Sequence, residues 1–157
     1  MEHENRGTII PVANTLKLKV GGHLASVDMI ALAKAEEALR RLANNADAQL
    51  QDELGKLEAT RARIASDGYT AESGKSLYDH ARDLAGLASA YSYSVVAEIA
   101  NSLCRLTADP AKRLKLSLVI IDGHIGSIKA AMRGNIRHLD HANAPQMLAA
   151  LKNLVAN

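Results

Sequence analysis

The stretch LYDHARDLAGLASAYSYSVVAEIANSLCRL, Leu77 to Leu106, constrains this chain more than any other. Leu77, Ala81, Leu84 and Ala88 recur at intervals of four, three and four, the spacing that places side chains on one face of a helix. After Tyr91–Ser94 the same logic returns with Val95 or Val96, Ile99, Leu103 and Leu106. Two amphipathic runs joined by so short a link predict two antiparallel helices. At about 100° per residue, Arg82 falls well off the Leu77/Leu84 stripe and points to solvent. Lys75, Asp79, Ala85, Gly86 and Ser89 are its expected neighbours, and Tyr78 belongs to the same patch. Small residues around one long exposed side chain leave room for a second surface to approach. The patch is therefore expected to dock a partner protein.

Phe and Trp are absent and only four Tyr occur, so a core must come from Leu, Ile, Val, Ala and Met. Such a core favours close helix packing, and long runs of Ala, Leu, Lys, Glu and Arg support an all-α reading. A chain of 157 residues is long enough for one domain with a sizeable core. Nineteen basic and 17 acidic residues leave a formal net charge of +2, which argues against a dedicated nucleic-acid binder. Without an 18-residue apolar run, no membrane span is expected. The start, MEHENRGTII, lacks a basic region and an apolar core, so no secretory leader is expected either. A single cysteine, Cys104, excludes an internal disulfide and fits a reducing cytoplasm. It reads as a small hydrophobe near the core rather than a nucleophile.

Residues 1–24 read as an extended or flexible arm, broken by Pro11 and by Gly21–Gly22, with a weak alternation over Thr15–Val20. Residues 25–157 read as the bundle domain. A first helix is expected over Val27–Ala43, ended by Asn44–Asn45. A second runs to about Ala65, with Leu50, Leu54, Leu57 and Ile64 on one face and Arg61 interrupting the stripe. Thr70 is a plausible cap for the third. Asp109–Pro110 is a strong start signal for the fifth, whose stripe is Leu114, Leu118, Ile121, Ile125, Ile128, Met132 and Ile136. A short last helix starts at Pro145. The expected architecture is an antiparallel four-helix bundle with additional N- and C-terminal helices.

The central segment resembles the core of a histidine-containing phosphotransfer (HPt) domain, the four-helix relay module of bacterial two-component signalling. Asp83, Leu84 and Gly86 match that family's helix, and Ser102-Leu103-Cys104-Arg105-Leu106 matches the end of its return helix. Three positions depart from the pattern. Arg82 stands where the phosphoacceptor histidine belongs, Ala85 where a lysine belongs, and Ser92 where a second glycine belongs. The resemblance covers about Ala46–Ile136. It implies the fold and a surface for a response-regulator receiver domain or a hybrid histidine kinase. The departures argue against phosphotransfer, because a guanidinium stays protonated and offers no lone pair to phosphorus.

Other chemistry finds little support. His80 lies two positions before Arg82, about 200° round the helix, and is expected to be a partly buried, hydrogen-bonded flank residue. It is still the first candidate should a non-standard histidine carry phosphate. His124 reads as a satisfied flank histidine. His138 and His141, with Asp140 between, lack the further ligands of a metal site. Neither a phosphate loop nor a hydrolase or metalloprotease motif occurs, so neither enzyme nor cofactor is expected. A structural helical bundle that dimerises, with no receiver partner, is the other reading.

Overall fold

The computed structural model of the chain describes residues 23–157, which form six helices and no strand. They are α1 His23–Asp67, α2 Ala71–Ala90, α3 Ser94–Thr107, α4 Pro110–Arg113, α5 Leu118–Arg133 and α6 Ala144–Ala156. The all-α class follows the composition. The expected arm over residues 1–24, and the alternation at Thr15–Val20, lie outside the described residues except for the first two positions of α1. The chain divides into two compact units, Met1–Ala43 and Asn44–Asn157. Among the described residues no helix is long and apolar enough to cross a membrane.

Asn44–Asn45 does not end a helix; α1 is continuous through it. Asparagine in a helix interior costs at most about 0.7 kcal/mol relative to alanine. Neither Gly nor Pro stands at this point, and unbroken winding keeps Ala46, Leu50, Leu54, Leu57 and Ile64 on the buried side. Arg61 sits within that stripe, and its guanidinium reaches Asp122 of α5 through paired bonds of 2.7 and 2.9 Å. A second bond to α5 joins Lys129 to Glu58. At Gly68 the backbone turns with φ +94°, a value that favours glycine.

One apolar cluster serves Asn44–Asn157. Leu50, Leu54, Leu57 and Ile64 come from α1, and Leu77, Ala81, Leu84, Ala85 and Ala88 from α2. Val95, Val96, Ile99 and Leu103 come from α3, and Ile121, Ile125 and Ile128 from α5. Each fully buried Leu or Ile stabilises by about 1.5–3 kcal/mol. The α2 and α3 helices pack closely as a hairpin, α3 packs on α5, and α6 lies on α5. Gly123 of α5 makes that last approach possible, since a β-carbon there would meet Leu154 of α6.

The fifth expected helix is split. Pro110–Arg113 forms a single turn capped by Asp109, whose carboxylate accepts from the N–H groups of Ala111 and Lys112. The chain then turns and restarts behind Ser117, which accepts from the Val119 N–H at 3.3 Å. Arg113 explains the break. Its side chain folds back into the interior, with Nε donating to the Thr107 carbonyl at 2.6 Å and Nη2 to that of Ala108 at 3.3 Å. Leu114 is consequently exposed, not core. Ile136 is buried but lies past the end of α5, beyond Asn135 at φ 51°.

Candidate functional site

Thr70 and Ser73 form a reciprocal capping box that fixes the start of α2: each backbone N–H donates to the other residue's hydroxyl, at 3.0 and 3.2 Å. The helix then buries Leu77, Ala81, Leu84, Ala85 and Ala88. On the outer side lies a ridge of Lys75, Asp79, Arg82, Gly86 and Ser89, spaced four, three, four and three.

Charges alternate along this ridge. Lys75 Nζ lies 2.5 Å from Asp79 Oδ2. The Arg82 side chain is 59 % exposed and its guanidinium makes two loose ion pairs, 3.9 Å to Asp79 and 3.4 Å to Asp83. It also lies over the Tyr78 ring, 5.9 Å from the centroid, while Arg113 occupies the same ring at 5.3 Å. The hydrogen bond from Lys75 holds the Asp79 carboxyl below the usual carboxylate range, and the charges of Lys75, Arg82 and His80 add to this. Exposed pairs of this kind contribute at most about 1 kcal/mol. Arg82 can therefore exchange its own carboxylates for those of another molecule at little cost.

The structure brings together Lys75, Tyr78, Asp79, Arg82, Gly86 and Ser89, but not Ala85. Ala85 is 5 % exposed and belongs to the core. It stands one position after Leu84 and three before Ala88, so it widens the buried stripe instead of facing solvent. Gly86 faces open space; a β-carbon there would touch nothing. Ser92 ends the hairpin turn with φ 61°, left-handed backbone where a glycine would be at ease.

His80 faces α1. Its Nδ1 is 3.1 Å from Glu53 Oε1, and the Glu53 side chain is only 8 % exposed. Lys56 donates to the other Glu53 oxygen at 2.9 Å. The Lys56 ammonium is pushed up to about 12, first by its hydrogen bond to Glu53 and next by that to Asp52. Lys56, Thr60, Arg63 and His80 line an open cavity of about 310 Å³.

The other histidines and the cysteine lie apart in sequence from the ridge positions. His124 has no exposed surface. A carbonyl only accepts, so His124 Nδ1 donates to the Ile120 oxygen at 2.7 Å, leaving Nε2 to accept from the Ser102 hydroxyl at 3.1 Å. Burial pushes this imidazole below the usual histidine range. Burial likewise pushes the Cys104 thiol up, and the side chain packs against the core. His138 and His141 lie in a turn between α5 and α6. Among the described residues no three His, Cys, Asp or Glu gather as metal ligands.

Two features escaped sequence reasoning. The Asp47 carboxylate accepts from the buried Tyr93 hydroxyl and pairs with Arg137 at 3.5 Å, while the Arg137 guanidinium stacks 4.5 Å from the Tyr93 ring. This cluster ties α1 to the hairpin turn and to the loop after α5. Arg113 of α4, bonded to the carbonyls at the end of α3, is the other. Only tertiary proximity assembles either set, so no spacing signalled them. No protein-family model, no curated protein and no solved structure matches this chain.

Proposed function

We propose that this protein is an HPt-like, non-relaying adaptor of two-component signalling in the cytoplasm. It docks response-regulator receiver domains, free or within a hybrid histidine kinase, through the exposed ridge of α2. The observation that supports this reading most is the exposed Arg82 guanidinium beside the bare backbone of Gly86, at the position where the resemblance expects a histidine. Phosphoryl relay needs a neutral nitrogen with a lone pair. Arginine lacks one, and Ala85, buried in the core, supplies no charge to steady a phosphate. A receiver's acidic pocket would instead accept charge-assisted hydrogen bonds from Arg82. The protein would then hold the receiver or compete with relaying partners.

Calorimetric titration against receiver domains from the same cell tests this. Losing charge-assisted contacts of about 1.5–3 kcal/mol means that Arg82→Glu weakens binding by roughly ten- to a hundredfold, with far-UV circular dichroism unchanged. Equal affinity in the variant removes Arg82 from the interface.

A second reading draws on His80. Glu53 against Nδ1 would leave Nε2 as the nucleophilic nitrogen, and Lys56 and Arg63 line the neighbouring cavity. Incubation with a phosphorylated receiver, followed by mapping of acid-labile phosphate, separates the readings. Label on His80 that disappears in His80→Gln would replace the adaptor account with an active relay.

A further inference from the structure

The buried side of α1 in Asn44–Asn157 runs Ala46, Leu50, Glu53, Leu57, Thr60 and Ile64, at intervals of four, three, four, three and four. Followed backward at the same spacing, the sequence places Ala43, Leu39, Glu36, Leu32 and Met29 in the series. In the sequence the heptad spacing of this seam thus persists from Met29 to Ile64. Its C-terminal half is covered by the core. In its N-terminal half Met29 is 73 %, Leu32 59 % and Leu39 64 % exposed, and the neighbouring Leu42 is 62 % exposed.

We infer that residues 28–43 of α1 pair with the same segment of a second copy of this chain, as a short coiled coil. Three observations select that occupant. Large apolar side chains at a 3.5-residue spacing fit another helix with the same repeat, and a second copy provides it. The charges of the segment balance: Asp28, Glu36 and Glu37 stand against Lys34, Arg40 and Arg41. An anionic membrane or a nucleic acid would call for a basic excess, whereas a balanced segment is complementary to itself. Finally, three of the outward charges are paired within the helix, Glu37 with Arg40 at 3.2 Å and with Arg41 at 3.0 Å. They flank the seam and leave Met29, Leu32, Leu39 and Ala43 as its apolar positions. Most helical stability in proteins comes from packing of an apolar face, which this half of the seam would gain from a partner helix. Glu36 is the one charged residue in the exposed half of the seam, and such a position sets register while limiting affinity. The dimer is therefore a reversible one.

Sedimentation equilibrium of the full chain, over a dilution series from millimolar to micromolar, provides the test. The wild-type chain reaches twice the monomer mass at the upper end. Leu32→Ala/Leu39→Ala keeps helix propensity but removes two seam side chains, and raises the dissociation constant by at least about tenfold. Leu32→Glu/Leu39→Glu is monomeric throughout. Arg82→Glu sediments as wild type, so failure of this pairing and failure of the adaptor reading are distinguishable. A wild-type chain that stays monomeric overturns the inference, and points instead to residues 1–22 or another protein as the cover. A dimer unchanged by both double substitutions overturns it too.

Discussion

At the scale of single residues, Ser92 and Gly86 are reversed relative to what the backbone asks of them. Ser92 sits at φ 61° in a turn that connects two core helices, a conformation that costs an L-residue about 1 kcal/mol. Gly86 lies inside α2, where its missing β-carbon has empty space before it. Glycine in a helix interior costs about 0.5–1 kcal/mol relative to alanine. Ser92→Gly and Gly86→Ala are each expected to raise the free energy of unfolding by about that amount in urea titrations. A lower midpoint for Ser92→Gly would mean that its hydroxyl makes up for the strain. For Gly86, stability and function should part company. Gly86→Ala leaves the fold firmer, but a longer side chain there, as in Gly86→Gln, would cover the ground beside Arg82. Receiver binding should then fall while the unfolding midpoint does not. Unaltered binding in Gly86→Gln would place the interface elsewhere on the surface.

At the scale of elements, Arg113 holds the end of α3 against the start of α2. Its side chain satisfies two carbonyls at the α3 terminus and lies over Tyr78. Gly74 makes the room: a β-carbon there would come within 2.8 Å of Arg113 Cδ and 3.3 Å of the Tyr69 ring. Gly74→Ala should therefore destabilise by about 1–3 kcal/mol. Gly55→Ala, in α1 with open space at the β-carbon, should stabilise by about 0.5–1 kcal/mol. Thermal melts of the pair compare crowding with propensity directly, and equal shifts would refute the packing argument. Arg113 also marks where the sequence stopped being legible. Apolar spacing identified the faces of α1, α2, α3 and α5, because burial of those stripes is what the spacing encodes. The spacing carried no sign that the run after Pro110 breaks at Leu114, since the cause is one arginine turning toward carbonyls six and five residues earlier. Asn44–Asn45 misled for the opposite reason: a small local cost was outweighed by register along α1. Ala85 was misplaced because a wheel assigns a direction but not the width of the buried stripe. Of the ridge itself, the positions of Lys75, Asp79, Arg82, Gly86 and Ser89 were readable, and the pairings of Arg82 with Asp79 and Asp83 were not.

At the scale of the whole molecule, His124 couples the core to pH. It has no exposed surface, and it links α5 to α3 through its bond to Ser102. Burial holds its imidazole below the usual histidine range, so the folded protein takes up this proton less readily than the unfolded chain. Stability therefore rises with pH wherever the unfolded state binds more protons. The full contribution is present above the unfolded value of about 6.5. Below it, each pH unit should cost about 1.4 kcal/mol until the buried imidazole itself protonates. The carboxylates act in a lower window. Asp109, held down first by the Ala111 N–H, and Asp79, held down first by Lys75, lose their contributions as pH falls from the ordinary carboxylate range through their depressed values. A decline in the urea midpoint between neutral pH and about 5 is thus assigned to His124 and not to the acids. His124→Gln keeps a donor and an acceptor but does not titrate. Its stability at neutral pH should be lower than wild type, because an aliphatic amide cannot reproduce both bonds of the ring. Its midpoint should nonetheless stay nearly level down to pH 5, so that the two curves converge as the pH falls. An unchanged slope in His124→Gln would show that the acid sensitivity arises outside the core.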